Sequence, residues 1–256
     1  MSTKGKKELK YHKRRKRFVN GRYGIILLIL LFFLSITIFF LLYTDFFLIN
    51  KIEIIGNDYV QDSEILKSSN LEIGMNIFKF NNKKTRNDIG LHPFVKEASV
   101  SRILPDKVAL SIVEREVAGV IPFDDGKFLY IDDEGIVVEE AGELKTYNIP
   151  LITGLEEISF ILGNFIEISP NWFRKSILNI IVILRENDLL NKVSEIQLLE
   201  DYSIQFYTNG GSVIKIGNDN ILEKKIEFVK SFILQAQAKV IVDISHGGTP
   251  VYKPRN

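Results

Sequence analysis

The stretch "VKEASVSRILPDKVALSIVER", Val95 to Arg115, decides the fold class. Val95 to Arg102 and Lys107 to Arg115 read as two strands, and Leu104-Pro105-Asp106 is the turn between them. In the second strand Val108, Leu110 and Ile112 fall on one face, the alternation of a half-buried sheet. Upstream, Ile52 and Ile54 alternate with polar neighbours as in another strand, and Gly56-Asn57-Asp58 is a turn. The run from Val60 to Leu66 then predicts a short helix capped by Asp62 or Ser63, after which Gly74 breaks the chain. Asn81-Asn82 cap a second helix to about Ile89, which Gly90 and Pro93 end. The order is β-α-α-β-β.

Further upstream lie 22 residues without a charge, Tyr23 to Thr44. At the helical rise they span ~33 Å, a bilayer's hydrocarbon thickness. A cleaved signal peptide would carry a shorter apolar region ending at small residues. Here the run ends in Phe39, Phe40, Leu41, Leu42 and Tyr43, so an uncleaved anchor is expected. Residues 1–24 hold ten Lys or Arg and one acid, a net +9 against +1 for the whole chain. Basic flanks stay cytoplasmic, so the N-terminus is expected inside and the bulk of the chain outside. Lys13 to Arg17 would also suit nucleic acid. Their place before a span favours topogenic charge and attraction to lipid, so the bilayer is the expected partner and nucleic acid is not.

Downstream, Asp124-Asp125-Gly126 and Asp132-Asp133-Glu134-Gly135 read as hairpin turns between apolar runs. They lack the spaced oxygens of a calcium loop. Ser169-Pro170 is expected to start a helix, Ser169 as cap, with Phe173, Ile177, Ile180, Ile181 and Leu184 as one stripe. Trp172 stands near its start as core or interface. Residues 203–207 and 212–216 flank Asn209-Gly210-Gly211 as a hairpin. Gly217 to Asn220 are expected to cap another helix with Leu222, Ile226, Val229, Ile233 and Ala236 on one face. Lys239 to Ile244 is a strand. Thr249 to Lys253, bounded by Pro250 and Pro254, is a last strand that belongs at a sheet edge.

Candidate chemistry is thin. The chain has no cysteine, hence no disulfide frame and no thiol nucleophile. His12, His92 and His246 form no zinc pair. His246-Gly247-Gly248 imitates an oxyanion loop but lacks a nucleophile elbow. Glu114, Arg115 and Glu116 read as solvated charges at a strand end. No catalytic, cofactor or metal residue is assigned and no cofactor is expected.

Particular words carry a resemblance: "IEIIGN" at 52–57, "SEIL" at 63–66, "GMNIF" at 74–78, "HPFVKEASVSRILPDKVALSIVERE" at 92–116, "VAG" at 117–119, and more thinly "IPLITG" at 149–154 and "KVIVDIS" at 239–245. Residues 45–116 resemble a POTRA module. Placed behind a signal anchor, the set resembles the bacterial cell-division family FtsQ/DivIB. The resemblance implies an α+β chain: a basic tail (1–22), a transmembrane helix (23–44), the POTRA module (45–116) and a larger domain (117–256). That domain would carry an open, mostly antiparallel sheet with an edge strand near 249–253. It also implies a non-enzymatic, single-pass scaffold of the divisome, enriched at the septum. Such a scaffold binds partners of the FtsL and FtsB/DivIC type and helps control septal peptidoglycan synthases. The partner-binding residues expected are Ser245, His246, Gly247, Gly248, Val251 and Tyr252. A membrane-anchored cell-wall enzyme would need a catalytic constellation. A secretion component would need tandem modules or a barrel.

Overall fold

A computed structural model of the chain describes residues 21–124, 126–145, 148–235 and 239–255. Helix α1, Gly21–Tyr43, is apolar on every side from Tyr23 onward, exposed from Ile25 to Phe40, and long enough to cross a membrane. A 3₁₀ turn, Asp45–Phe47, follows at once.

The first unit is β1 (Lys51–Ile55), α2 (Asp62–Ser69), α3 (Asn82–Ile89), β2 (Val95–Ile103) and β3 (Lys107–Glu114). Its sheet runs β1-β3-β2, with β1 parallel to β3 and β2 antiparallel to it. Val108, Leu110 and Ile112 do share the inner face and are buried with Ile49, Ile65 and Ile89. Ile54, opposite Leu110, is only half-buried. Asn81 caps α3 through the amides of Lys83 and Lys84. Helix α2 differs from expectation. It follows Gln61 and has no side-chain cap, because Asp62 instead accepts a hydrogen bond from Asn57 Nδ2 at 2.7 Å.

The second unit contains β4 (Val117–Phe123), β5 (Lys127–Asp132), β6 (Val137–Ala141), β7 (Leu151–Thr153), β8 (Glu157–Ser159) and β9 (Glu167–Ser169). Helix α4 (Asn171–Glu186) is followed by β10 (Val193–Leu198), β11 (Ile204–Thr208), β12 (Val213–Gly217), α5 (Asp219–Gln235), β13 (Val240–Asp243) and β14 (Val251–Pro254). Nine strands form one open sheet, ordered β14-β13-β12-β11-β10-β7-β4-β5-β6. Five of its neighbouring pairs are antiparallel and three parallel, so the sheet is mostly antiparallel. Strand β7 joins the two halves: it runs parallel to β10 and meets β4 at Leu151 opposite Val120.

Helices α4 and α5 cover one face. Phe173, Ile177, Ile180, Ile181 and Leu184 are all fully buried there, against Ile152, Ile196, Phe206 and Ile214. Burying such a stripe is what holds an amphipathic helix to a sheet. In α5, Leu222 and Val229 are buried and Ile226 and Ile233 half-buried, while Ala236 lies outside the described residues. Ser169 does not cap α4. It is already used in β9, paired with Glu157, and the helix begins at Asn171 after an extended Pro170. Trp172 is not core: it is about half exposed and meets Phe173 and Tyr202 edge-on.

A candidate partner-binding edge and the seam that positions the two units

Strand β14 is the outermost strand of the nine, antiparallel to β13, with Ile241 opposite Lys253 and Val242 opposite Tyr252. The amide of Arg255 donates to Lys239 O at 3.1 Å, which makes 239/255 a hydrogen-bonded pair. In an antiparallel ladder such pairs alternate with non-bonded ones. Pairs 241/253 and 243/251 are therefore bonded, and the backbone groups of Tyr252 and Pro254 point outward. Pro250, one step before the strand, has the same parity. Between the two prolines the outer edge thus offers a single donor, the Tyr252 N–H, together with the carbonyls of Tyr252 and Pro254.

The edge is framed at both ends. Lys225 of α5 donates to His246 O at 2.7 Å and Gly248 O at 2.8 Å, fixing the turn before β14. The Gly248 amide donates to His246 Nδ1 at 3.1 Å. Ser245 turns inward, its amide and hydroxyl donating to Asp243 Oδ1 at 3.0 and 2.7 Å. The Ser245 hydroxyl is the chief reason why the Asp243 carboxyl sits below its ordinary pKa. At the far end Arg255 donates to Gly211 O at 2.6 Å and lies over the Tyr207 ring.

The expected site residues are close in space but not on one face. Tyr252 leans on Phe228 and Phe232 of α5, with ring centroids 6.3 Å apart in each case. Val251, about half exposed, projects from the opposite face of the strand. Ser245, His246, Gly247 and Gly248 form the preceding turn. The signal missed in the sequence was Lys225, which holds that turn from a helix 21 residues upstream of His246.

The two units meet at a seam that orders the expected "solvated" charges. Glu114 is not free: its carboxylate accepts from the amides of Asp58, Tyr59 and Val60 at 2.8–3.2 Å. Arg115 Nη1 reaches Asp132 Oδ2 at 2.6 Å and Glu134 Oε2 at 3.0 Å. Asp132 ends β5, and Glu134 lies in the turn between β5 and β6. Lys96 of β2 lies 3.0 Å from Glu134, and Arg185 of α4 bonds Asp133. The hydrogen bond from Lys96, then that from Arg115, holds the Glu134 carboxyl below its usual range. The same contact with Glu134 raises Lys96. Beside these ions Phe94 packs on Val120, Tyr130 and Val138, on the sheet face away from α4. The plain-turn reading of residues 132–135 stands, and the turn also locks one unit to the other.

His92 faces Glu64 at 3.7 Å and accepts from the Phe94 amide, while His12 lies outside the described residues. Among the described residues no three His, Cys, Asp or Glu side chains converge as a metal site. A family model for the FtsQ-type POTRA domain matches residues 47–115, and one for the C-terminal region of the cell division protein FtsQ/DivIB matches residues 119–244.

The chain belongs to the FtsQ/DivIB family.

The chain is 29% identical over 248 residues to a cell division protein DivIB of Clostridium botulinum, covering 95% of this chain and 94% of that protein. It is 28% identical to a DivIB of Clostridium acetobutylicum over 80% of this chain and 82% of that one. A cell division protein FtsQ of Syntrophotalea carbinolica is 26% identical over 72% of this chain and 64% of its own length. The FtsQ/DivIB membership supports a divisome role. Strand β14 lies beyond the end of the second family match, at residue 244.

Proposed function

We propose that this chain is a non-catalytic, single-pass scaffold of the division machinery that holds small bitopic partners of the FtsL and FtsB/DivIC type and so helps control septal peptidoglycan synthesis. In this reading residues 1–22 are a cytoplasmic tail, 23–44 the anchor, 45–116 the POTRA domain and 117–256 the partner-binding domain outside the membrane. The +9 charge of residues 1–24 supports that orientation. Septal enrichment follows from the family's division role.

The observation that carries the partner reading is the open outer side of β14. An edge strand with free backbone groups accepts a strand from another chain. Val251 and Tyr252 add an apolar and an aromatic side chain, and the turn from Ser245 to Gly248 frames them. The test is deletion of residues 248–256 from the full chain. Circular dichroism and melting of the remainder should hold, because β14 buries none of its four side chains. Binding of the FtsB/DivIC-type partner should fall at least tenfold, about 1.4 kcal/mol. Undiminished binding would place the interface elsewhere.

A further inference from the structure

Helix α1 does not hand over to the first unit through a loose linker. Four residues after its end at Tyr43, Phe47 O accepts from the Ile77 amide at 2.9 Å, and Ile49 exchanges backbone hydrogen bonds with Met75 and Gly74 at 2.8 Å. The segment bearing Asn76 reaches back along the helix. Asn76 is 4% exposed, and its Nδ2 donates to Leu41 O at 2.9 Å, filling one of the carbonyls a helix end leaves open. Leu41 lies two residues inside the helix end, ~3 Å along the axis. Phe47 packs edge-on against Phe40, three residues inside, and against Phe78. Lys79 Nζ stands 5.1 Å from the centre of the Tyr43 ring. The first unit is therefore seated beside the last turn of α1, not beyond it.

A bilayer's hydrocarbon needs about 20 apolar residues, and the charge-free run supplies 22, so less than one helical turn of it is spare. The last turn then lies at the bilayer's interface, and whatever is packed beside it lies at that level too. There the protein shows Tyr43 and Phe46, 68% and 61% exposed, with the Lys79 ammonium above. Aromatic rings and snorkelling cations are the residues that suit this layer. We propose that Tyr43, Phe46 and Lys79 form a membrane-docking foot, through which the first unit rests in the interfacial layer of the lipid around the end of α1.

The occupant is lipid because exposed Tyr43 and Phe46 carry the apolar surface of α1 past the end of the helix. The inference rests on α1 spanning the bilayer. Asp45 lies among these residues, so the foot is suited by ring insertion and not by selection for anionic headgroups.

The chain has no cysteine, which makes single spin labels clean. Full-length Leu30→Cys, Phe46→Cys, Lys79→Cys and Ile161→Cys, reconstituted in phosphatidylethanolamine–phosphatidylglycerol vesicles, would be compared by power saturation with oxygen and a water-soluble nickel chelate. All four side chains are exposed in the protein, so the fold should tolerate the labels. Leu30 should read as deep in hydrocarbon and Ile161 as aqueous. Labels at 46 and 79 should lie between, with oxygen access raised and nickel access reduced relative to 161. Aqueous readings at both 46 and 79 with Leu30 still deep would overturn the foot and leave the span intact. An aqueous Leu30 would remove the span and the foot together.

Discussion

Arg115 and Asp132 meet across the seam between the two units, Nη1 to Oδ2 at 2.6 Å, with the Asp132 side chain 1% exposed. Asp132 also accepts from the amides of Glu134 and Ile136 at 2.9 and 2.8 Å. The carboxylate is thus fixed by its own turn and neutralised by the neighbouring unit.

Arg115→Met should lower the melting temperature of the full chain. The loss should be about 2–4 kcal/mol, near the lower end for breaking a buried pair, because two backbone donors still serve Asp132. Adding Asp132→Asn to Arg115→Met should recover part of it, since no buried charge then stands alone. A wild-type melting temperature for Arg115→Met would show that the pair contributes nothing.

Acid should weaken the seam and mild base should not. The folded Glu134 carboxyl sits below its ordinary pKa, so its contribution is complete above about pH 4.3 and fades as pH falls through the folded value. Lys96 is raised, so its contribution is intact below about pH 10.4 and is lost only as pH rises beyond that. Glu134 is 46% exposed, which keeps the amplitude small. The melting-temperature gap between wild type and Glu134→Gln should be flat through neutral pH and narrow as pH falls below about 4.3. A gap as wide at pH 3 as at pH 7 counts against this account.

Gly154 ends the bridging strand β7 with φ +81°, and a Cβ there would stand 2.0 Å from Leu198 O. Gly154→Ala should cost more than about 2 kcal/mol, since neither backbone can yield without disturbing the β7–β10 ladder. Gly126→Ala is the control: its φ is +92° but the space around it is open. Chemical denaturation of both variants measures the difference. Equal losses would show that the clash relaxes freely.

Tyr252→Pro should separate the edge from its side chain. The Tyr252 N–H points away from β13, so the ladder loses nothing, yet the outer edge loses its one donor between the prolines. Partner affinity should drop at least tenfold below that of Tyr252→Ala, which gives up the same contacts with Phe228 and Phe232. Equal affinities for the two variants would mean that the partner does not add a strand there.

Local pattern alone placed most of the elements. Val108, Leu110 and Ile112 alternate, and the Phe173–Leu184 stripe recurs at helical spacing, so periodicity wrote their buried faces into the chain. The long apolar helix, its basic flank and the proline-bounded last strand were legible for the same reason: each property belongs to neighbouring residues. The family words around 52–57 and 92–116 were legible as well. Pairing across distance was not. Strand β7 has three residues, too few to show a period, and its place between β10 and β4 depends on partners over 40 and 30 residues away. Ser169 looked like a helix cap because its competing partner, Glu157, is set by a hairpin. Arg115 and Glu114 looked solvated because their partners lie in other elements. Asn76 gave no hint that it serves Leu41, 35 residues earlier. The sequence by itself determined which segments are helix and strand and which helix is long and apolar enough to cross a membrane, because those follow from local sterics and burial. Only the tertiary structure decided which charges are buried, which backbone groups of β14 face outward, and how the first unit sits against α1. Those depend on what the fold brings alongside each residue.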